Sequence, residues 1–360
     1  MSTQPDLLYS EEEEALRSAV RDLLTDRGGP AAVIARTESD APHDIALWKT
    51  LADAMGLAGL LIPEELDGQG ATHREAAVVL EELGRAVAPV PYLTSAVVAT
   101  EALLECGAGD LLAQLASATT VGALAVGLHT APGAPFATVR TERGLLYGEL
   151  TGIADAAVAD LLLVPADDGG LYAVDASAVT VTPQVSLDLT RPLATVTLDG
   201  AAGRRLGAAE PAVRRALRAA AGLLASEQLG LAEWALTETV RYLKERKQFN
   251  RPVGGFQALK HRLAQLWLEV VNLRAAARAA ADALASGKDT DVAVAVAQAY
   301  AAPAAVRAAE EALQLHAGIG MTWEHPIHLY LKRAKADSIA YGTAGAHREA
   351  LAELVDLRAP

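Results

Sequence analysis

The sequence predicts a mainly α-helical protein with a β-domain in its middle. Alanine is abundant and aromatics make up only 4% of the 360 residues, a composition that favours helix over long stretches. Helix-length segments with capping signals occupy both ends of the chain. Between about Val121 and Gly200 the pattern changes to short β-branched runs punctuated by turn residues. The expected organisation is an N-terminal helical domain over 1–120, a middle antiparallel β-domain over 121–205 and a C-terminal helical bundle over 206–360. With 51% apolar residues the chain can bury a large core.

The elements follow in order. Ser10 before Glu11 to Glu14 reads as an N-cap with carboxylates in the first turn, where they favour the helix dipole. "LADAMGLAGLLIPEELDGQG" reads as a helix that stops at Gly56, then a short apolar segment and a Pro/Gly loop. "THREAAVVLEELGRAVAPVP" is a further helix, with Gly84 and the prolines as its end. "LLLVPADDGGLYAVDASAVTVTPQ" and "RPLATVTLDG" carry Asp-Gly, Gly-Gly and Pro turns between strands, as in an antiparallel sheet or small barrel. After "GAAEPAVRR" helices return over 211–247, 254–286, 289–316 and 326–355, with breaks at Pro252, Gly287 and Gly318 to Gly320. There is no repeat of 20 to 50 residues.

Composition narrows the function. A formal charge of −14 argues against nucleic acid as a partner. The N-terminal stretch has no cationic apolar segment of the kind a secretory leader needs. The most apolar run, "VAVAVAQAYAAPAAV", is interrupted by Gln298 and Pro303 and falls short of the ~18 to 20 residues of a membrane span, so no membrane association is expected. A single cysteine, Cys106, excludes an internal disulfide and fits a reducing cytoplasm; its simplest role is a small core hydrophobe.

One stretch stands out chemically. "RKQFNRPVGGFQALKHRLAQ" packs Arg246, Lys247, Arg251, Lys260, His261 and Arg262 into an acidic chain. Such density points to an anionic ligand, or to a basic helix end facing water. His316, His325 and His328 lie close in sequence, with no nearby Cys or carboxylate set, so their spacing defines no metal site and hydrogen bonding is their expected role.

Four segments together resemble the acyl-CoA dehydrogenase family: "GLAGLLIPEELDGQG", "LEELGRAVAP", "ERKQFNRPVGGFQALKHRLA" and "QLHAGIGMTWEHPIHLYLKRAKA", in the family's order and spacing. The resemblance covers nearly the whole chain. It implies a C-terminal four-helix bundle, FAD, an acyl-CoA thioester substrate and assembly into dimers or dimers of dimers. It also implies that the bundle of one subunit grips the pyrophosphate and adenosine of an FAD whose flavin ring sits on its neighbour. That grip maps onto Arg246, Phe249, Gln257, Gln314, Gly318 and Gly320. A guanidinium suits a pyrophosphate, and a glycine turn lets backbone approach a ligand. Asn250 and Ala317 stand where the family has glycine.

The other half of the family's site is altered. Its flavin loop resembles "HTAPGAPFAT", where Thr130, Pro132 and Gly133 are kept but the Glu is Ala131 and the Gly-Ser portion is absent. The Trp and the Thr or Ser beside the ring fall on Gly152 and Ala154. The family's catalytic Glu, in either of its two positions, falls on Tyr341 or on Ala220. The nearest other carboxylate is Glu227, two turns past Ala220 and ~10 Å along the helix, a weak candidate base. The resemblance is therefore to the subunit lacking the base in a heteromeric α2β2 enzyme, whose sister subunit carries the Glu. Such enzymes act on bulky sterol-derived CoA thioesters. Two alternatives stay open: a self-sufficient homo-oligomer with an unrecognised base, or a non-redox enzyme or scaffold on the same fold.

Overall fold

The structure, a computed structural model, describes residues 7–27 and 29–357. Six helices come first: α1 (Glu11–Asp26), α2 (Gly29–Thr37), α3 (Ile45–Lys49), α4 (His73–Ala86), α5 (Thr100–Cys106) and α6 (Gly109–Ala116). Ser10 opens α1 with a full capping box: the Glu13 N–H donates to Ser10 Oγ (3.1 Å) and the Ser10 N–H to Glu13 Oε2 (2.6 Å). Thr72 and Glu75 start α4 in the same way. Gly56 ends the helical stretch before it in the left-handed region, at φ 69°.

Gly84 does not end α4. The helix runs on to Ala86 and closes on Val87 at φ 48°. Gly84 is needed for packing instead: a Cβ there would lie 2.2 Å from Glu227 O on the neighbouring long helix. Gly230 mirrors it, with a Cβ 2.0 Å from Glu81 O. Two helices thus cross backbone to backbone through paired glycines, an approach no larger side chain permits.

The middle segment forms two four-stranded sheets. One runs in the order β1 (Gly122–Leu124), β4 (Leu161–Pro165), β5 (Gly170–Asp175), β8 (Arg204–Ala208). The other runs β2 (Arg140–Glu142), β3 (Leu145–Ala154), β7 (Leu193–Ala202), β6 (Thr180–Gln184). Pairing is antiparallel except between β1 and β4, which are parallel. Leu146, Leu150, Ile153, Leu162, Val164 and Val196 interleave in a shared core. The β3–β7 register breaks between Leu150 and Ile153, which puts Gly152 at φ 71° in an irregular part of the strand.

The C-terminal part is helical. It comprises α7 (Ala209–Glu245), the short hairpin β9 (Lys247–Gln248) and β10 (Arg251–Pro252), α8 (Gln257–Ser286), α9 (Thr290–His316), α10 (Ile327–Asp337) and α11 (Ala344–Leu354). The single helix expected over 326–355 is two, because Tyr341 (φ 52°) and Gly342 (φ 103°) turn the chain between them. Pro303 lies inside α9 without ending it. The stretch Thr290–Met321 is long and apolar enough to cross a membrane, contrary to the expectation from its Gln and Pro; here it is a core helix packed on α7, α8 and α11.

The glycine crossing yields a prediction. Gly230→Ala gains helix propensity worth up to ~1 kcal/mol, yet must force α4 and α7 apart. Denaturant unfolding should show a net loss of about 1–3 kcal/mol, the usual cost of overpacking. Gly255→Ala, which meets open space, serves as the neutral control.

Candidate functional site

The turn between α10 and α11 places Tyr341 in the interior. Its side chain is 4% exposed, its N–H donates to Leu128 O (2.6 Å), and His347 Nε2 donates to its carbonyl (3.0 Å). Gly342 has no room for a side chain: a Cβ would lie 2.8 Å from Ala131 Cβ. The turn is thus clamped to the loop carrying Leu128 and Ala131. Tyr341 shares a cavity of about 10 Å³ with Thr94, Val98, Leu128, Ala154 and Leu217. That is room for one water. Burial pushes the Tyr341 phenol well above the usual tyrosine range, away from use as a base at neutral pH. Ala220 is fully buried on α7 and offers only a methyl group.

Beside this cavity lies a buried triad. Asp155, at φ 56°, accepts from Thr94 Oγ1 (2.8 Å) and pairs with His43 Nε2 (2.9 Å). Burial alone would raise the Asp155 carboxyl. The His43 bond and charge, Arg191 and the Thr94 hydroxyl outweigh it and hold Asp155 below the usual carboxylate range.

Glu227 belongs to a larger buried charge cluster. Arg191 donates to Glu227 Oε2 (2.6 Å) and to Asp337 Oδ1 (2.8 Å). Arg333 bridges Glu227 Oε1 and Asp188 Oδ2, both at 2.5 Å, and donates to Thr190 Oγ1 at 2.6 Å. All five charged side chains are nearly or fully excluded from water. Burial favours a neutral Glu227, but the two guanidiniums prevail and keep it an anion of low basicity. Three carboxylates face two arginines, so one negative charge is surplus. Asp337 takes the proton: burial, then the nearby Glu227 charge, push its carboxyl up to about 8, and its Oδ2 accepts no hydrogen bond.

Asp188 and Arg191 also wall a second, open cavity of about 320 Å³, with Gly152, Leu128, Lys335 and Ile339. A Cβ on Gly152 would meet nothing nearer than Gly127 Cα at 3.9 Å, so this strand position presents space.

The six bundle residues lie elsewhere. Tyr242 stacks on His316 with ring centres 4.5 Å apart, so α7 and α9 end side by side. Arg246 closes α7, Phe249 sits in the following hairpin, and Gln257 begins α8. Gln314 is in the last turn of α9, and Gly318 and Gly320 in the short turn after it. Arg246, Phe249, Gln257, Gln314 and Gly318 are exposed, Phe249 by 85%, while Gly320 is buried. Arg246 makes no side-chain hydrogen bond or ion pair within the described residues. Asn250 (φ 58°) and Ala317 (φ 53°) keep a left-handed backbone of the kind glycine would allow.

Comparison with known proteins places this geometry. The N-terminal domain of acyl-CoA dehydrogenases matches residues 10–130 and their C-terminal domain residues 210–355. Acyl-CoA dehydrogenase IpdE2 of Mycolicibacterium smegmatis is 37% identical over 336 residues, covering 92% of this chain and 95% of that relative. The ChsE4-ChsE5 complex from Mycobacterium tuberculosis has a similar structure, with a TM-score of 0.87 at 29% identity, over 99% of this chain and 100% of the matched one. A variant of the Tcur3481-Tcur3483 steroid ACAD gives 0.84 at 32% identity, over 96% and 98%. The chain belongs to the acyl-CoA dehydrogenase family, FAD-dependent oxidoreductases that act on CH–CH bonds.

Sequence reasoning did not find Arg191, Arg333 or Asp337. Their partners stand 36 to 146 positions away, and no local spacing marks them. Asp337 gives a testable pH dependence. A carboxyl near 8 in the folded chain and near ~4 unfolded holds a proton that unfolding releases, so its contribution to stability falls as pH rises from about 4 to 8. The slope is at most about 1.4 kcal/mol per pH unit. Asp337→Asn mimics the protonated form. Its stability relative to the parent should rise between pH 5 and pH 8, as read by denaturant midpoints.

Proposed function

We propose that this chain is the subunit without a catalytic base in a heteromeric FAD-dependent acyl-CoA dehydrogenase. The assembly is a cytoplasmic α2β2 complex whose sister subunit carries the catalytic Glu. Its substrate is an acyl-CoA thioester with a bulky, sterol-derived acyl group; the similarity to a protein described as a steroid ACAD supports that class. One observation carries the reading. Tyr341 is buried in a cavity with room for one water, while five bundle residues suited to a phosphate-bearing cofactor stand exposed.

The residues present fit half of an FAD. On the β-domain side Gly152 and Ala154 supply neither a stacking face nor a hydroxyl, and no carboxylate lines the cavity of Tyr341. Glu227, pinned between two guanidiniums, is a structural anion rather than a base. On the bundle side, Arg246 has a free fork of donors for a pyrophosphate. Gln257 and Gln314 add amide donors, Phe249 an apolar face, and the turn at Gly318 and Gly320 admits close backbone approach. Bound FAD supplies the hydride acceptor for α,β-dehydrogenation. The role of this chain is to hold the far end of that cofactor and to cover it. Exposed Phe249 on the hairpin and Ile319, Met321 and Trp323 on and beside the glycine turn supply apolar groups that a partner on this surface would cover.

The test is FAD titration of the apo-complex. Arg246→Ala removes a charge-assisted contact worth ~1.5 to 3 kcal/mol and should weaken FAD about 10- to 150-fold. Arg246→Lys should recover only part, because an ammonium has no planar fork. The mutant complex should stay assembled and regain activity in excess FAD. Unchanged affinity would make the stretch a basic helix end facing water.

A further inference from the structure

Where α7 and α9 end together, three donors converge that no spacing in the sequence brings together. Glu238 comes from the last part of α7, His316 from the end of α9, and His325 from the segment before α10. One ligand atom from each lies within 4.8 Å of the others. His316 is completely buried, and its Nδ1–H donates to Ala312 O at 2.7 Å. That bond fixes the tautomer and leaves a bare lone pair on Nε2, which is buried and has no hydrogen-bond partner. A fully buried, unpartnered imidazole nitrogen is costly unless something takes its lone pair.

The geometry points to a divalent transition-metal site, of which zinc is the expected occupant, formed by Glu238, His316 and His325. Two imidazoles and a carboxylate form a common three-ligand set for this ion, with water completing a tetrahedron. The hydrogen bond from His316 Nδ1 to a backbone carbonyl is the outer support that such ligands usually carry. His325 Nδ1 accepts only a long 3.3 Å bond from the Ile327 N–H, a weak competitor for a metal. Glu238 is held as an anion by Arg241, which donates to Oε2 at 2.9 Å and also to Oε1. Each carboxylate oxygen has a second lone pair, so a metal can share Glu238 with Arg241. Bonds of 2.0 to 2.1 Å imply donors roughly 3.3 Å apart, a closure of about 1.5 Å or less that half-exposed Glu238 and His325 can make by side-chain rotation. The bound ion would pin the turn after α9 to α7.

The experiment uses the untagged full-length chain, stripped with chelator. Zn²⁺ is titrated calorimetrically and Co²⁺ by visible absorption, with Mg²⁺ as control. The expected result is one Zn²⁺ per chain, tetrahedral Co²⁺ bands, and no comparable Mg²⁺ binding. Glu238→Gln and His325→Ala should each weaken Zn²⁺ by at least about tenfold and lose the Co²⁺ bands. These half-exposed positions are chosen because His316 is core; far-UV circular dichroism confirms that the variants fold. Absence of stoichiometric binding, or equal affinity in parent and both variants, would overturn the site and leave an adventitious ion only.

Discussion

The buried cluster of Arg191, Arg333, Asp188, Glu227 and Asp337 is the constraint on which the rest of the site depends. It ties the loop before β7 to α7 and α10 in one place without water. Removing two guanidiniums and two carboxylates from solvent, with Asp337 protonated beside them, is expensive, and their mutual attraction repays this only with nearly ideal geometry. The cluster is thus better understood as fixing position than as adding stability. Losing either arginine would leave uncompensated buried carboxylates, a loss of about 3–5 kcal/mol. Because α10 is held here, the turn that follows it is also held, and Tyr341 is driven inward against Leu128.

That placement decides the chemistry available to this chain. Tyr341 is a buried phenol in a cavity with room for one water. The carboxylate nearest in sequence is committed to two arginines. At the C-terminal end of α7 the situation is reversed: side chains able to meet phosphate and apolar surface stand exposed beside a glycine turn. Along this one helix the closed position at Ala220 and the open one at Arg246 are thus about 39 Å apart, at 1.5 Å per residue.

The sequence revealed what is local. The N-cap at Ser10 and the change to strand at Gly122 both rest on neighbours within a few positions. It misled where a local rule competes with tertiary packing. Gly84 reads as a helix end, yet it serves a backbone crossing with α7. The break at Tyr341 was hidden because a tyrosine gives no warning of a left-handed backbone; only Gly342 beside it hints at a turn. The charge cluster and the convergence of Glu238 with two histidines were invisible for one reason: their members come from distant segments.

The central claim is that this chain grips half of a shared flavin and has no flavin ring site of its own. The direct measurement is flavin content per chain, from absorption near 450 nm after gel filtration, for the chain purified alone and for the chain co-expressed with an unlike acyl-CoA dehydrogenase subunit. The account predicts a colourless preparation alone and one FAD per unlike pair in the complex. Stoichiometric FAD on a homo-oligomer of this chain would contradict it.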